Sequence, residues 1–201
     1  MKKYELTAEF IEKWGKKLFR IKALISFGSV EAGELGGYVE KEDNLAQDGD
    51  AWVCDDAWVY DDAWVYGNAR VYDDAWVYGD ARVYGNAEVY GDARVYGNAR
   101  VCDDAWVYGN AWVCGNADYL LIGRIGSRFS FTTFFKNKDK GITVSCGCFL
   151  GTIAEFRAKV TDTHGNNKHA KMYNLAADMA ELQILGEEHF DKLNTNKSEP
   201  F

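Results

Sequence analysis

"GNAEVYGDARVYGNARV", residues 85–101, says nearly the same six residues three times over. The register runs well beyond that stretch. Alanine recurs every six residues from Ala51 to Ala117, and valine stands two places after each alanine up to Val113. Each valine is followed by Tyr or Cys and then by Gly-Asn, Gly-Asp or Asp-Asp, so the unit is Ala-x-Val-Tyr-Gly-Asn. A period of six fits no helix, and glycine at such short intervals costs a helix about 1 kcal/mol each time. In extended backbone Ala and Val share one side and x takes the other. Gly, Asn and Asp accept positive φ, so the pair after each short strand marks a corner. Hairpins built this way leave strands of about four residues, which are marginal. Turning in one sense at every corner, and stacking the coils as parallel strands, buries every Ala and Val instead. The pattern predicts a parallel β-solenoid.

The hexad resembles the hexapeptide repeat of left-handed parallel β-helices, in which three hexads complete a triangular coil. For twelve hexads that resemblance implies about four coils, and with strands ~4.8 Å apart a prism about 19 Å tall. The left hand comes from the resemblance alone, since strand crossovers are ordinarily right-handed. Coils in a solenoid touch only their neighbours, so the inside repeats and the information lies outside.

Folded by three hexads, the outward positions form three columns. The first is Trp52, Arg70, Glu88, Trp106, with an ion pair expected at its middle. The second is Trp58, Trp76, Arg94, Trp112, and the third is Trp64, Arg82, Arg100. Tyrosine columns stand beside them, broken by Cys54, Cys102 and Cys114. A cross-strand ladder, worth about 0.5–1.5 kcal/mol per aromatic pair, accounts for the tyrosines. It accounts less well for the tryptophans, because large apolar patches are rare on soluble monomers and Trp and Arg are enriched at binding hot spots. Trp58, Trp76, Arg94 and Trp112, with Trp52 and Trp106, are therefore the candidate partner-binding residues. The second column fits a homotrimer of prisms side by side, an arrangement common among left-handed β-helix proteins.

The same folding sets Asp55 beneath Asp73, and Asp56 beneath Asp74 and Asp92. Carboxylates ~4.8 Å apart repel by about 1 kcal/mol even in water. Solvation with local hydrogen bonds, a bound cation, or a phosphate-like stripe facing a basic partner would each answer that repulsion. Side-chain capping of the corner is the simplest, and Asp-Asp pairs without a ligand loop make a poor calcium cage. No essential metal is expected there.

The formal net charge is −8, and residues 51–117 carry four Lys/Arg against eleven Asp/Glu. That balance argues against a general nucleic-acid or anionic-membrane binder. Apolar residues make up 47% of the chain, enough for a sizeable core. Five cysteines behind a start, MKKYELTAEF, that lacks an apolar leader lead to the expectation of a soluble cytoplasmic protein with no membrane span.

Upstream of the repeat, EFIEKWGKKLFRIKAL (residues 9–24) reads as two strands about a Trp-Gly-Lys turn. Val39 and Leu45 fall on the alanine register, as larger fillings of a cap coil. Downstream, DYLLIGRIG, FSFTTFFK and GITVSCGCFL read as three strands. Thr152 and Glu155 form a capping box opening a helix that Gly165 closes, with Ile153, Phe156 and Val160 on one side. A second helix carries Met172, Leu175, Met179 and Leu182 at 3-4-3 spacing and ends at Gly186. The expected organisation is mainly β: a hairpin and cap coil over 1–50, the solenoid over 51–118, a β-β-β-α-α cap domain over 119–190, and a frayed tail over 191–201.

Leu35-Gly36-Gly37-Tyr38-Val39-Glu40 precedes the coils; Ile125-Gly126-Ser127-Arg128, Thr132-Thr133-Phe134-Phe135 and Cys146-Gly147-Cys148-Phe149 follow them. In these the chain resembles hexapeptide-repeat proteins encoded by bacteriophages and prophages, a family without an assigned activity. The resemblance implies an origin and a fold and no catalytic residue. Acyltransferases of β-helix fold use a histidine projecting from a coil, whereas the three histidines here, 164, 169 and 189, all follow the repeat. That excludes the acyltransferase reading, and no enzyme activity and no cofactor are expected.

Two clusters remain. Cys146, Cys148, His164 and His169 hold the inventory of a zinc site, but Ile142, Val144, Cys146 and Cys148 alternate as one face of a strand, and small core cysteines are the plainer reading. Arg124, Ser127, Arg128, Thr132 and Thr133 compose a candidate anion or nucleotide nest, with a tight turn as the simpler alternative. The expected function is that of a non-enzymatic, oligomeric phage accessory protein that binds a host immune component or a small signalling nucleotide. A virion scaffold and an acidic nucleic-acid mimic that inhibits a host DNA-binding protein are the alternatives.

Overall fold

Every hexad from Ala51 onward places its alanine just ahead of a two-residue strand made of x and Val, from β4 (Trp52–Val53) to β14 (Trp112–Val113). The computed structural model describes residues 2–190, so the tail expected over 191–201 lies outside the described residues. Each strand up to Arg94–Val95 pairs in parallel with the strand eighteen residues on, as Trp58 does with Trp76 and Trp64 with Arg82. The three predicted columns are the three faces of a parallel β-solenoid of about four turns. The backbone ladder repeats from coil to coil: the Trp58 amide donates to Ala75 O at 2.9 Å and the Tyr60 amide to Val77 O at 3.1 Å. Alanine and valine columns fill the interior, none more than 1% exposed between Ala51 and Val113.

At each corner from Asp55 to Gly109 the first residue of the pair is left-handed, either glycine, as Gly85 at φ 72°, or aspartate, as Asp61 at φ 60° and Asp73 at φ 58°. An L-residue pays roughly 1–2 kcal/mol for that conformation. The aspartates offset it with a bond up the stack: Asp61 Oδ2 accepts the Gly79 amide at 3.2 Å and Asp73 Oδ2 the Gly91 amide at 3.1 Å. At Asp61 and Asp73 the first aspartate of the pair is thus hydrogen-bonded to the next coil, whereas Asp56, Asp74 and Asp92 stand exposed along an open groove. Along another edge amides do the same, Asn68 donating to Asn86 at 3.0 Å and Asn86 to Asp104 at 3.1 Å.

The head covers the open first coil. Strands β1 (Tyr4–Lys13) and β2 (Lys16–Ala23) join through Trp14 and Gly15, both at positive φ, the geometry that matches strand twist in a two-residue hairpin. Strand β3 (Leu35–Val39) pairs antiparallel with β2 and parallel with Trp58–Val59, so the second face continues into the hairpin. Gly36 makes that approach feasible: a Cβ there would stand 2.5 Å from Val53 O. Val39 and Leu45 face Val59 and Val65, so they belong to the valine column and not to the alanine column expected from the hexad count. The corner after Leu45 is larger than its counterpart: Leu45 and Trp52 are seven apart, their partners Val65 and Arg70 five. A shift of two keeps Val39 and Leu45 pointing inward. Lys3, 2% exposed, fills the enlarged corner, its Nζ donating to the carbonyls of Ala51 at 2.9 Å, Gly49 at 3.3 Å and Asp48 at 3.4 Å.

The chain divides into two compact units, Met1–Asn116 and Ala117–Phe201. The second is an antiparallel meander of β15 (Tyr119–Ile125), β16 (Ser130–Lys136), β17 (Ile142–Cys146) and β18 (Phe149–Thr152), followed by α1 (Ile153–His164) and α2 (Lys168–Leu185). Its sheet has four strands where three were expected. The stretch GITVSCGCFL is a hairpin, with Gly147 at φ 60° in the turn and Cys146 facing Phe149, so Cys148 leaves the strand face. Thr152 caps α1 as expected: its amide donates to Glu155 Oε2 at 2.8 Å, and its Oγ1 accepts the Glu155 amide at 3.3 Å. Helix α2 buries Ala170, Tyr173, Ala177, Ala180 and Ile184, whose small residues permit close packing, and leaves Met172, Leu175, Met179 and Leu182 exposed. Arg157 ties the helices together, 2.7 Å from Asp178 and 2.8 Å from Glu181. Among the described residues no helix is long and apolar enough to cross a membrane.

Candidate functional site

The three faces differ in what remains accessible. On the first, Trp52 is 1% exposed, boxed by Phe27 at 5.4 Å and Tyr4 at 6.2 Å between ring centroids. This candidate partner residue is part of the cap's core. The ion pair expected between Arg70 and Glu88 is not formed, because nearer partners take both groups. Arg70 donates to Ser29 Oγ, and Glu88 accepts the Tyr72 hydroxyl at 2.8 Å. Burial and that carboxylate push the Tyr72 hydroxyl pKa upward. Trp106 is 42% exposed.

On the second face Trp58 and Trp76 stack at 4.8 Å with their planes 11° apart. Trp14, from the hairpin tip, lies 5.8 Å and 5.3 Å from them, so the chain covers part of its own strip. Arg94 continues the stack, its guanidinium 4.3 Å from the Trp76 ring and 5.2 Å from Trp112. Tyr60, Tyr78 and Tyr96 stack alongside at 5.0 Å and 5.1 Å, the ladder the sequence implied.

The third face, to which the sequence reading gave no binding role, is open throughout. Trp64 lies against Tyr66 at 4.0 Å, and Tyr66 stacks on Tyr84 at 4.8 Å. Arg82 and Arg100 occupy adjacent rungs, both exposed, and among the described residues neither enters an ion pair. The signal was legible, since one arginine above another in an outward column is an unusual choice for a ladder.

In the second unit the predicted anion residues part company. Ser127 and Arg128 line a pocket with Cys146, Cys148 and His164, whereas Arg124 does not. Thr132 and Thr133 are buried within β16, and Thr132 Oγ1 donates to Cys146 Sγ at 3.2 Å. His169 stands 5.8 Å from His164 between ring centroids. Among the described residues no three His, Cys, Asp or Glu side chains are placed to hold a metal ion. Tyr173, beside Cys146, has its hydroxyl pKa pushed up to about 12 by burial.

These features define a class: a parallel β-solenoid with six-residue rungs, joined to an α+β unit. Residues 63–79, 75–91, 87–103, 93–109 and 99–115 match the model of the YdcK β-solenoid repeat family, so the central coils are similar to that family's repeat. No curated protein matches the chain.

Proposed function

We propose that this protein is a non-enzymatic binding protein whose solenoid is a rigid platform and whose third face is the recognition strip for an acidic protein surface. The supporting observation is the Arg82–Arg100 pair. The two arginines face each other across adjacent rungs, both exposed and without an ion pair among the described residues, beside the stacked Trp64, Tyr66 and Tyr84. Like charges on facing rungs repel, and a carboxylate from a partner relieves that repulsion. Trp, Tyr and Arg are also the side chains that dominate binding hot spots. The resemblance in the head and cap motifs supports a phage accessory role in the bacterial cytoplasm, with a host immune component as the partner. Exposed Trp106 and Trp112 support self-association, for which a trimer is the proposed state.

The test is affinity capture from bacterial lysate with the unmodified chain and with Arg82→Glu/Arg100→Glu, both of which fold because the substitutions lie outside the Ala-Val core. A partner retained by the first and lost by the second is expected. Identical capture by both overturns the assignment of the face. Light scattering tests the trimer, and a monomer at micromolar concentration rules it out.

A further inference from the structure

The β15–β16 turn, the Gly147–Cys148 turn and one flank of α1 enclose a pocket of about 220 Å3. Its deep part is aromatic and aliphatic: Phe156 and Val160 are nearly inaccessible, Phe149 lies 5.6 Å from Phe156, and Tyr173 meets Phe156 edge-on at 5.7 Å. Its rim carries the exposed cations Arg128 and Lys159, with the His164 ring stacked on Tyr173 at 5.7 Å. The lining includes no Asp or Glu, in a chain whose net charge is −8. Lys159 is shared with Asp162 at 3.1 Å, whereas Arg128 enters no ion pair among the described residues. Gly147 opens the turn beside Arg128: a Cβ there would stand 3.0 Å from Nη1.

An uncompensated guanidinium over an apolar floor is complementary to a ligand with an anionic head and a flat apolar body. Drug-sized ligands occupy pockets of roughly 300–1,000 Å3, so this ligand is smaller, on the scale of one substituted ring. We propose that the second unit binds a small aromatic anion, its phosphate or carboxylate head held by Arg128 and Lys159 and its ring against Phe149 and Phe156. The site shares no residue with the third face of the solenoid, so the two proposals stand or fall separately.

Isothermal titration calorimetry of the full chain with phenyl phosphate, benzoate and inorganic phosphate tests it. One saturable site for phenyl phosphate or benzoate is expected, with inorganic phosphate weaker by about tenfold because it leaves the ring pocket empty. Whichever aromatic probe binds tighter identifies the head group. Arg128→Gln weakens the tighter probe by about tenfold and leaves the melting temperature unchanged, since Arg128 is exposed and unpaired. Lys159→Gln weakens it less, because Asp162 already engages that ammonium. No saturable heat up to about 10 mM of either aromatic probe overturns the proposal. So does equal affinity in folded Arg128→Gln, or inorganic phosphate binding as tightly as phenyl phosphate.

Discussion

Replacing Lys3 by Met will make the protein less stable, and the deficit will widen as pH rises from 7 to 9. Lys3 buries its ammonium among three carbonyls, and desolvation outweighs the attraction of Asp48 and Asp50, drawing its pKa down from 10.5 to about 8. In the unfolded chain the same group titrates near its ordinary value. Between the two values the unfolded state binds more protons than the folded state, so the Lys3 contribution to stability increases with pH in that window. From pH 7 to pH 9 the increase is about 1 kcal/mol, each unit of pKa separation being worth about 1.4 kcal/mol. Cys54 acts the other way: burial holds its thiol up to about 12, so its contribution falls once the unfolded thiol ionises, near 9. Both chains contain Cys54, so the difference between them isolates Lys3. The Met variant leaves the carbonyls of Asp48, Gly49 and Ala51 short of a donor, which sets the deficit at neutral pH. Urea unfolding at pH 7, 8 and 9 measures it. Curves that stay parallel, or a gap that narrows, refute a depressed Lys3 pKa.

Gly36→Ala should lower stability by about 1–3 kcal/mol in urea unfolding, because a Cβ 2.5 Å from Val53 O forces β3 away from the first coil. A double-mutant cycle on Arg94→Ala and Trp112→Ala should give a coupling of about 0.5–1 kcal/mol, as expected for a partly exposed guanidinium 5.2 Å from the ring. Arg157→Met should cost about 2 kcal/mol by calorimetry, less than the ~3–5 of a fully buried pair because Asp178 remains partly solvated. Adding Glu181→Leu should recover much of that loss, since Glu181 is the carboxylate left buried.

The solenoid was legible because its signal is strictly local. The Ala-x-Val spacing fixes what points inward, the Gly-Asn or Asp-Asp pair fixes the corner, and eighteen residues per coil then fix every column. Departures came where a residue's neighbours are distant in sequence. Trp52 has an outward position and is still buried, because Tyr4 and Phe27 return over it from the head. Val39 and Leu45 changed column because the hexad count does not reveal two extra residues at one corner. In α2 the 3-4-3 spacing of Met172, Leu175, Met179 and Leu182 gave the helix, and that row stands exposed while the alanine row, which the spacing does not single out, packs against the core. Of the second unit's chemistry, Ser127, Arg128, Cys146, Cys148 and His164 could be named, but not the hairpin at Gly147 that gathers them around one pocket.

The repeat also explains why the third face carries the functional proposal. A solenoid holds like residues one rung apart, so a charged column is answered by its neighbours, by solvent, as the exposed Asp56, Asp74 and Asp92 are, or from outside. Asp61 and Asp73 are answered by the amides of the next coil, at 3.2 Å and 3.1 Å. Glu88 is answered by the Tyr72 hydroxyl, and Arg94 by the rings of Trp76 and Trp112. Arg82 and Arg100 hold facing positions on adjacent rungs, open to solvent and without an ion pair among the described residues. A ladder selected for stability alone would interleave a carboxylate there, since opposite charges on facing rungs are worth about 0.2–1 kcal/mol and like charges cost a similar amount. Keeping two arginines gives up that stabilisation, and the compensation proposed here comes from a partner's carboxylates. Arg82→Glu offers the corresponding trade. It should raise stability by a few tenths of a kcal/mol, through pairing with Arg100, while abolishing capture of the partner. A variant that is both more stable and still able to bind would show that the arginine pair serves neither role.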